Sequence, residues 1–248
     1  MIIGVSSPHR GLSQSPVPLL PPGRWAPGSA ARLVHALGLV LFQILLNGVA
    51  FRVIAPAVLG GDDFDFRGSI AEFIVVGVLA TTSMGINVGL ALCVVGHITP
   101  KELGWSTQDW TKDAAAGLFG FGLCALALFA LAAIESGRDG PSEVLRSMAS
   151  YTLAQRLLFL SIGLSAAAYE ESLFRGYLQP ELTRRVGTIA GVIATAAIFA
   201  LYHLRFGPSA LGGKLAVGLV LGGLRVTRSS LAAPAIAHAL LWAVIGAA

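Results

Sequence analysis

From Ala114 to Ile134 the chain reads A-A-A-G-L-F-G-F-G-L-C-A-L-A-L-F-A-L-A-A-I, without one charged or amide side chain. In water, a helix that is apolar all round would need apolar partners on every side. In a bilayer it has the roughly 20 apolar residues that cross a hydrocarbon core about 30 Å thick. No water reaches the backbone there, so each N–H and C=O must bond within the segment, and the segment must be helical. The rest of the chain repeats this pattern. Of its 248 residues 55% are hydrophobic and 12% charged, and the mean hydropathy is +0.75, outside the balance of soluble domains.

The expected fold class is therefore all-α, a polytopic transmembrane bundle of about seven spans, within six to eight. The apolar runs place them at Leu33–Val58, Ile70–Ile98, Ala114–Ile134, Leu153–Leu178, Val186–Leu204, Leu211–Leu224 and from Leu231 to the C-terminus. Residues 1–30, rich in Pro, Ser and Gly, read as a flexible tail without the apolar core of a signal peptide. Residues 31–150 form an N-terminal set of transmembrane helices, and residues 151–248 a core that carries the polar chemistry. Pro180 and the paired Arg184 and Arg185 mark the end of the fourth span. Gly218 and Gly222 make a small-xxx-small pair, suited to close helix packing within the bundle.

The net charge of +4 comes from basic residues scattered singly or in pairs through the connectors, which excludes a phosphate-binding patch and hence nucleic acid. Arg10, Arg24, Arg32, Lys101, Lys112, Arg184, Arg185, Arg225 and Arg228 fall on one side of the membrane, and the positive-inside rule puts that side, and the N-terminus, in the cytoplasm. Arg67, Arg138, Arg146, Arg205 and Lys214 fall on the other. The location is a cell membrane with several passes. Cys93 and Cys124 lie in apolar runs without metal-ligand spacing.

Against this background the polar groups inside the spans stand out. An ionisable side chain in hydrocarbon costs about 2.5–3.5 kcal/mol on insertion scales, so such groups line a cavity and act there. A-A-Y-E-E-S-L-F-R-G-Y in span four holds Glu170, Glu171 and Arg175. Glu171 and Arg175 are four apart with the acid first, the favoured order for a helical ion pair. Glu170 points about a quarter turn away. His203 closes F-A-L-Y-H-L on span five, and His238 sits mid-helix on span seven. A carboxylate and two histidines from three spans admit two chemistries. Glu170 and His203 could share a water as general base while His238 stabilises an oxyanion, or the three could hold a divalent metal such as zinc with an open position for water.

The sequence E-E-x-x-x-R, then F-x-x-x-H, then a helix reading L-A-A-P-A-I-A-H-A, resembles the CPBP family of intramembrane proteases, the group of the Rce1-type CAAX prenyl endopeptidases. The resemblance covers roughly the last hundred residues. It implies that Glu170 and His203 activate water, that Glu171 and Arg175 orient the site, that Phe199 opens the second motif, and that His238 serves the oxyanion. It also implies metal-free chemistry with no cofactor. The family's third motif continues to an Asn where this chain has Trp242. Trp242 keeps one N–H donor, and Asn47 and Asn87 are further candidate donors from other helices.

The expected function is an intramembrane endopeptidase acting on a membrane-bound protein or peptide, with prenylation of the substrate and the oligomeric state left open. Two other classes fit parts of the pattern. Trp242 suits a catalytically silent relative acting as an immunity factor or scaffold, and buried Glu and His residues suit a proton-coupled transporter.

Overall fold

The computed structural model describes residues 26–61, 69–135, 151–204 and 210–245, together with Arg146 and Ala149. Most of the N-terminal tail, the acidic connector and nearly all of the polar loop before span four lie outside the described residues. Within them are eight helices and no strand. In chain order they are α1 (Ala30–Leu59), α2 (Ile70–Val95), the short α3 (Pro100–Leu103), α4 (Trp110–Glu135), α5 (Leu153–Val186), α6 (Thr188–Tyr202), α7 (Ala210–Arg228) and α8 (Ala232–Ile245).

The bundle is apolar outside and polar within, the distribution expected when the solvent is lipid. Leu41, Leu45, Phe119 and Leu126 are more than 60% exposed, while Gln43, Asn47, Ser83 and Asn87 are buried. Helices α1, α2, α4 and α5 are each long and apolar enough to cross a membrane. Helices α6 and α8 are shorter apolar helices, and α7 carries Lys214, Arg225 and Arg228 over its 19 residues.

Three stretches of helix are wound wider than an α-helix, with hydrogen bonds to the fifth residue back: Ala50–Ile54 in α1, Gly85–Val95 in α2 and Glu171–Leu178 in α5. Such turns are rare and recur at functional sites. The stretch in α5 also explains one departure from the sequence expectation. Helix α5 does not stop near Pro180 but runs to Val186. A proline ring collides with the carbonyl four residues back in a regular helix. Here the preceding turns bond further back, Gln179 N–H reaching the Phe174 carbonyl, which gives the ring room. The helix ends at Gly187, whose φ of 85° is open to glycine without penalty and turns the chain back into α6.

Two polar clusters tie the N-terminal helices to the C-terminal ones. At one end of the bundle, the fully buried Glu181 accepts from Gly28 N–H (2.8 Å) and pairs with Arg32 (3.0 Å) and Arg184 (2.6 Å). Arg185 donates to the Gly28 carbonyl at 2.9 Å. Halfway along α1, Asn47 accepts from Gln43 and Ser83 and donates to the Tyr202 hydroxyl at 3.0 Å. Around the second cluster lies the larger core, which includes Leu39, Phe174, Leu178, Phe199 and Tyr202.

Close helix contacts complete the packing. A Cβ added at Gly218 would meet Ala196 of α6, and one at Gly222 would meet Val192, so this glycine pair packs inside the bundle. Gly163 of α5 lies against Trp242 of α8, where an added Cβ would come within 2.3 Å of the Trp242 Cβ and 3.2 Å of the Ala239 carbonyl. Gly163→Ala is expected to force α5 and α8 apart and to lower stability by about 1–3 kcal/mol, the usual cost of overpacking. Thermal unfolding in detergent measures this, and an unchanged midpoint would contradict the crossing.

Candidate functional site

Glu170 is the last residue of the regular part of α5, and Glu171 the first of its widened turns. Trp105 holds this junction, donating to the Ser172 hydroxyl at 2.7 Å, and Ser172 in turn donates to the Ala168 carbonyl at 2.6 Å. The two adjacent carboxylates leave the helix in different directions and meet different partners.

Glu171 faces inward and is 0% exposed. Its Oε1 accepts from Arg175 Nη1 at 3.1 Å and lies 2.8 Å from His238 Nδ1. Arg175, also 0% exposed, donates from Nη2 to the Gly218 carbonyl at 3.3 Å. Its guanidinium lies over the Phe199 ring, 4.3 Å from the centroid, where a desolvated cation–π contact is worth about 2 kcal/mol. Glu171, Arg175 and Phe199 thus form one support, reaching from α5 to α6, α7 and α8.

Glu170 faces a cavity of about 1090 Å³ whose lining includes Asn47, Phe159, Glu170, Phe199, His203, Lys214, His238 and Trp242. On α1 all the lining residues fall between Ile44 and Val53, so the cavity occupies the half of the bundle away from the Glu181 cluster. The Glu170 Oε2 is 3.9 Å from His203 Nε2 and 3.8 Å from His238 Nε2. These gaps exceed a direct hydrogen bond and suit a small polar group held between carboxylate and imidazole.

The other ring nitrogens set the protons. His203 Nδ1 is 2.8 Å from the Phe199 carbonyl; a carbonyl only accepts, so Nδ1 carries the hydrogen and Nε2 of the neutral ring offers its lone pair to the cavity. His238 Nδ1 likewise donates, to the Glu171 carboxylate, which turns its Nε2 toward Glu170. The rings of Phe199 and Tyr202 flank His203 at centroid distances of 4.5 and 4.7 Å and fix its plane.

The candidate donors separate. Asn87 gives its amide N–H groups to the Leu39 carbonyl (2.9 Å) and Gln43 (3.0 Å) and is outside the cavity lining; it is not brought to the site. Asn47 and Trp242 both line the cavity. Asn47 is held by Tyr202, and Trp242 by the crossing at Gly163. Tyr202 and Lys214 are cavity residues that the motif spacing did not single out. Lys214 was counted only as a connector charge, although its position one turn before Gly218 on the packed face of α7 is readable from the sequence.

Among the described residues no three His, Cys, Asp or Glu side chains stand close enough together to hold a metal ion. The steps proposed below use no metal.

Removing one partner of a buried ion pair costs about 3–5 kcal/mol because the other charge is stranded. Arg175→Met should therefore lower the unfolding midpoint of the purified protein more than the double variant Glu171→Gln/Arg175→Met does. Equal losses would mean that the pair is not a coupled unit.

Residues 152–244 match the family described as type II CAAX prenyl endopeptidase Rce1-like. No curated protein and no solved structure matches the chain.

Proposed function

We propose, on the match of residues 152–244 to the Rce1-like family, that the chain is an intramembrane endopeptidase that hydrolyses a peptide bond of a membrane-bound protein or peptide by a metal-free route. The observation that carries this is the convergence of Glu170, His203 and His238, from three helices, on one cavity within a lipid-facing bundle.

A water between Glu170 and His203 gives its proton to the Glu170 carboxylate as its oxygen attacks the scissile carbonyl carbon. The His203 Nε2 lone pair accepts from the same water and aims it. The carbonyl π pair moves to oxygen, and the new oxyanion takes a hydrogen bond from His238, which in this role carries N–H at both nitrogens, Nδ1–H on Glu171 and Nε2–H on the substrate. On collapse the C–N bond breaks, and Glu170 returns its proton to the departing amine. Glu171 and Arg175 act through His238 as positioning residues.

The family name makes a peptide ending in a prenylated CAAX sequence the first substrate to try. The bilayer is the second partner. The end of the bundle where Arg32, Arg184 and Arg185 gather around Gly28 and Glu181 is read as cytoplasmic under the positive-inside rule. A two-part organisation, with residues 31–150 framing a catalytic core at 151–248, agrees with the match falling on the second part.

Glu170→Gln and His203→Gln should each lower cleavage of a fluorogenic peptide ending in S-farnesyl-cysteine and three aliphatic residues by at least about 100-fold, the lower range for a general base. Unfolding midpoints of both variants should stay near wild type. Turnover that survives either substitution rejects the mechanism. Dialysis against a chelator should leave the rate within about twofold, because the proposed route uses no metal. Loss of activity restored by zinc would reject the metal-free route.

A further inference from the structure

Lys214 lines the same cavity, and the packing of α7 fixes its depth. Arg175 donates to the Gly218 carbonyl and Gln179 to the Gly222 carbonyl, each across a separation of 43 residues. Helices α5 and α7 therefore run parallel with a constant offset, and one turn earlier Lys214 lies abreast of Glu171. Against α6 the register is antiparallel, with Gly218 on Ala196 and Gly222 on Val192, which sets Lys214 level with Ala200, just short of His203. Lys214, Gly218 and Gly222 form one i, i+4, i+8 stripe, so the lysine belongs to the face that packs on α5 and α6. Helical side chains lean toward the N-terminus of their helix. On α7 that direction runs from the level of Glu171 toward the levels of Glu170 and His203.

A half-buried lysine at this depth would cost about 2.5–3.5 kcal/mol if it faced hydrocarbon. In the cavity it meets the one place where the proposed reaction creates negative charge. We propose that Lys214 is a catalytic residue of that reaction, its ammonium donating to the carbonyl oxygen of the scissile bond alongside His238 as the oxyanion forms, an assignment that rests on the endopeptidase reading above. No covalent bond to lysine forms and no proton leaves it. Its N–H groups shorten onto the oxygen as charge builds, and release it when the carbonyl is restored.

Loss of one oxyanion donor lowers kcat by about 100- to 1000-fold. With the farnesylated fluorogenic peptide as probe, Lys214→Met is expected to lose kcat in that range with KM within about threefold of wild type, and Lys214→Arg to recover at least a tenth of the wild-type kcat. A peptidyl phosphinate, whose charged P–O oxygens mimic the tetrahedral intermediate, should bind Lys214→Met about 100-fold more weakly than wild type, a readout that a merely structural lysine would not move. Unfolding midpoints in the same detergent identify a folding defect, and in that case the arginine variant and the phosphinate affinity decide. If wild type cleaves the peptide, Glu170→Gln does not, and Lys214→Met keeps its kcat or raises only KM, the lysine role is overturned and the endopeptidase stands. If wild type and Glu170→Gln behave alike, both fall.

Discussion

The hydrogen-bonded ion pair between Glu171 and Arg175 holds four helices in one arrangement. Both side chains are removed from solvent, where their separate desolvation would cost several kcal/mol each, so neither tolerates the absence of the other. The pair also engages specific neighbours: the Gly218 carbonyl of α7, the Phe199 ring of α6 and the His238 imidazole of α8. Each contact is directional, so shifting any of those helices by a fraction of a turn strands a charge. The position of His238 relative to Glu170 is thus a consequence of electrostatics that the helices cannot relax.

Much of this could be read from the chain before any coordinates. Apolar runs long enough to cross a bilayer leave little freedom in fold class, and apart from the C-terminal end of α5 the helices appear within a few residues of where the hydropathy put them. The Glu171–Arg175 spacing is a local helical property, so its geometry was legible too. Other features depend on tertiary contact and were not. The widened turns of α5 have no composition signal, and with them the passage through Pro180 was hidden. Asn87 looked equivalent to Asn47, but Leu39 and Gln43 occupy its amide. Lys214 falls inside the sixth apolar run yet reads as a topology charge, and the register against Arg175 and Gln179 shows its depth.

The N-terminal helices act as a frame. The Gln43–Asn47–Ser83 network ends on the Tyr202 hydroxyl, and the Tyr202 ring stands edge-on to His203. A polar cluster on α1 and α2 thereby limits the orientation of an imidazole on α6, although nothing in residues 31–150 belongs to the matched family segment. At the other end, Glu181 fastens the start of α1 to the end of α5. The matched segment carries Glu170, His203 and His238, and the helices before it restrict how those side chains may turn.

The widened stretch Glu171–Leu178 makes the site sensitive to residue count as well as residue identity. Relative to a regular α-helix, wide turns absorb extra residues over the same rise, and each residue removed would rotate the segment before it by about 100° against the segment after it. Glu170 lies just before the stretch; Arg175 lies within it and Glu181 just beyond. A deletion of one residue there would swing the Glu170 carboxylate away from the His203 and His238 side chains relative to the Glu181 ion pairs at the far end, beyond any packing lost at the buried Leu173 or Leu178. The helix works as a phase adjuster, and its length in residues sets where Glu170 points.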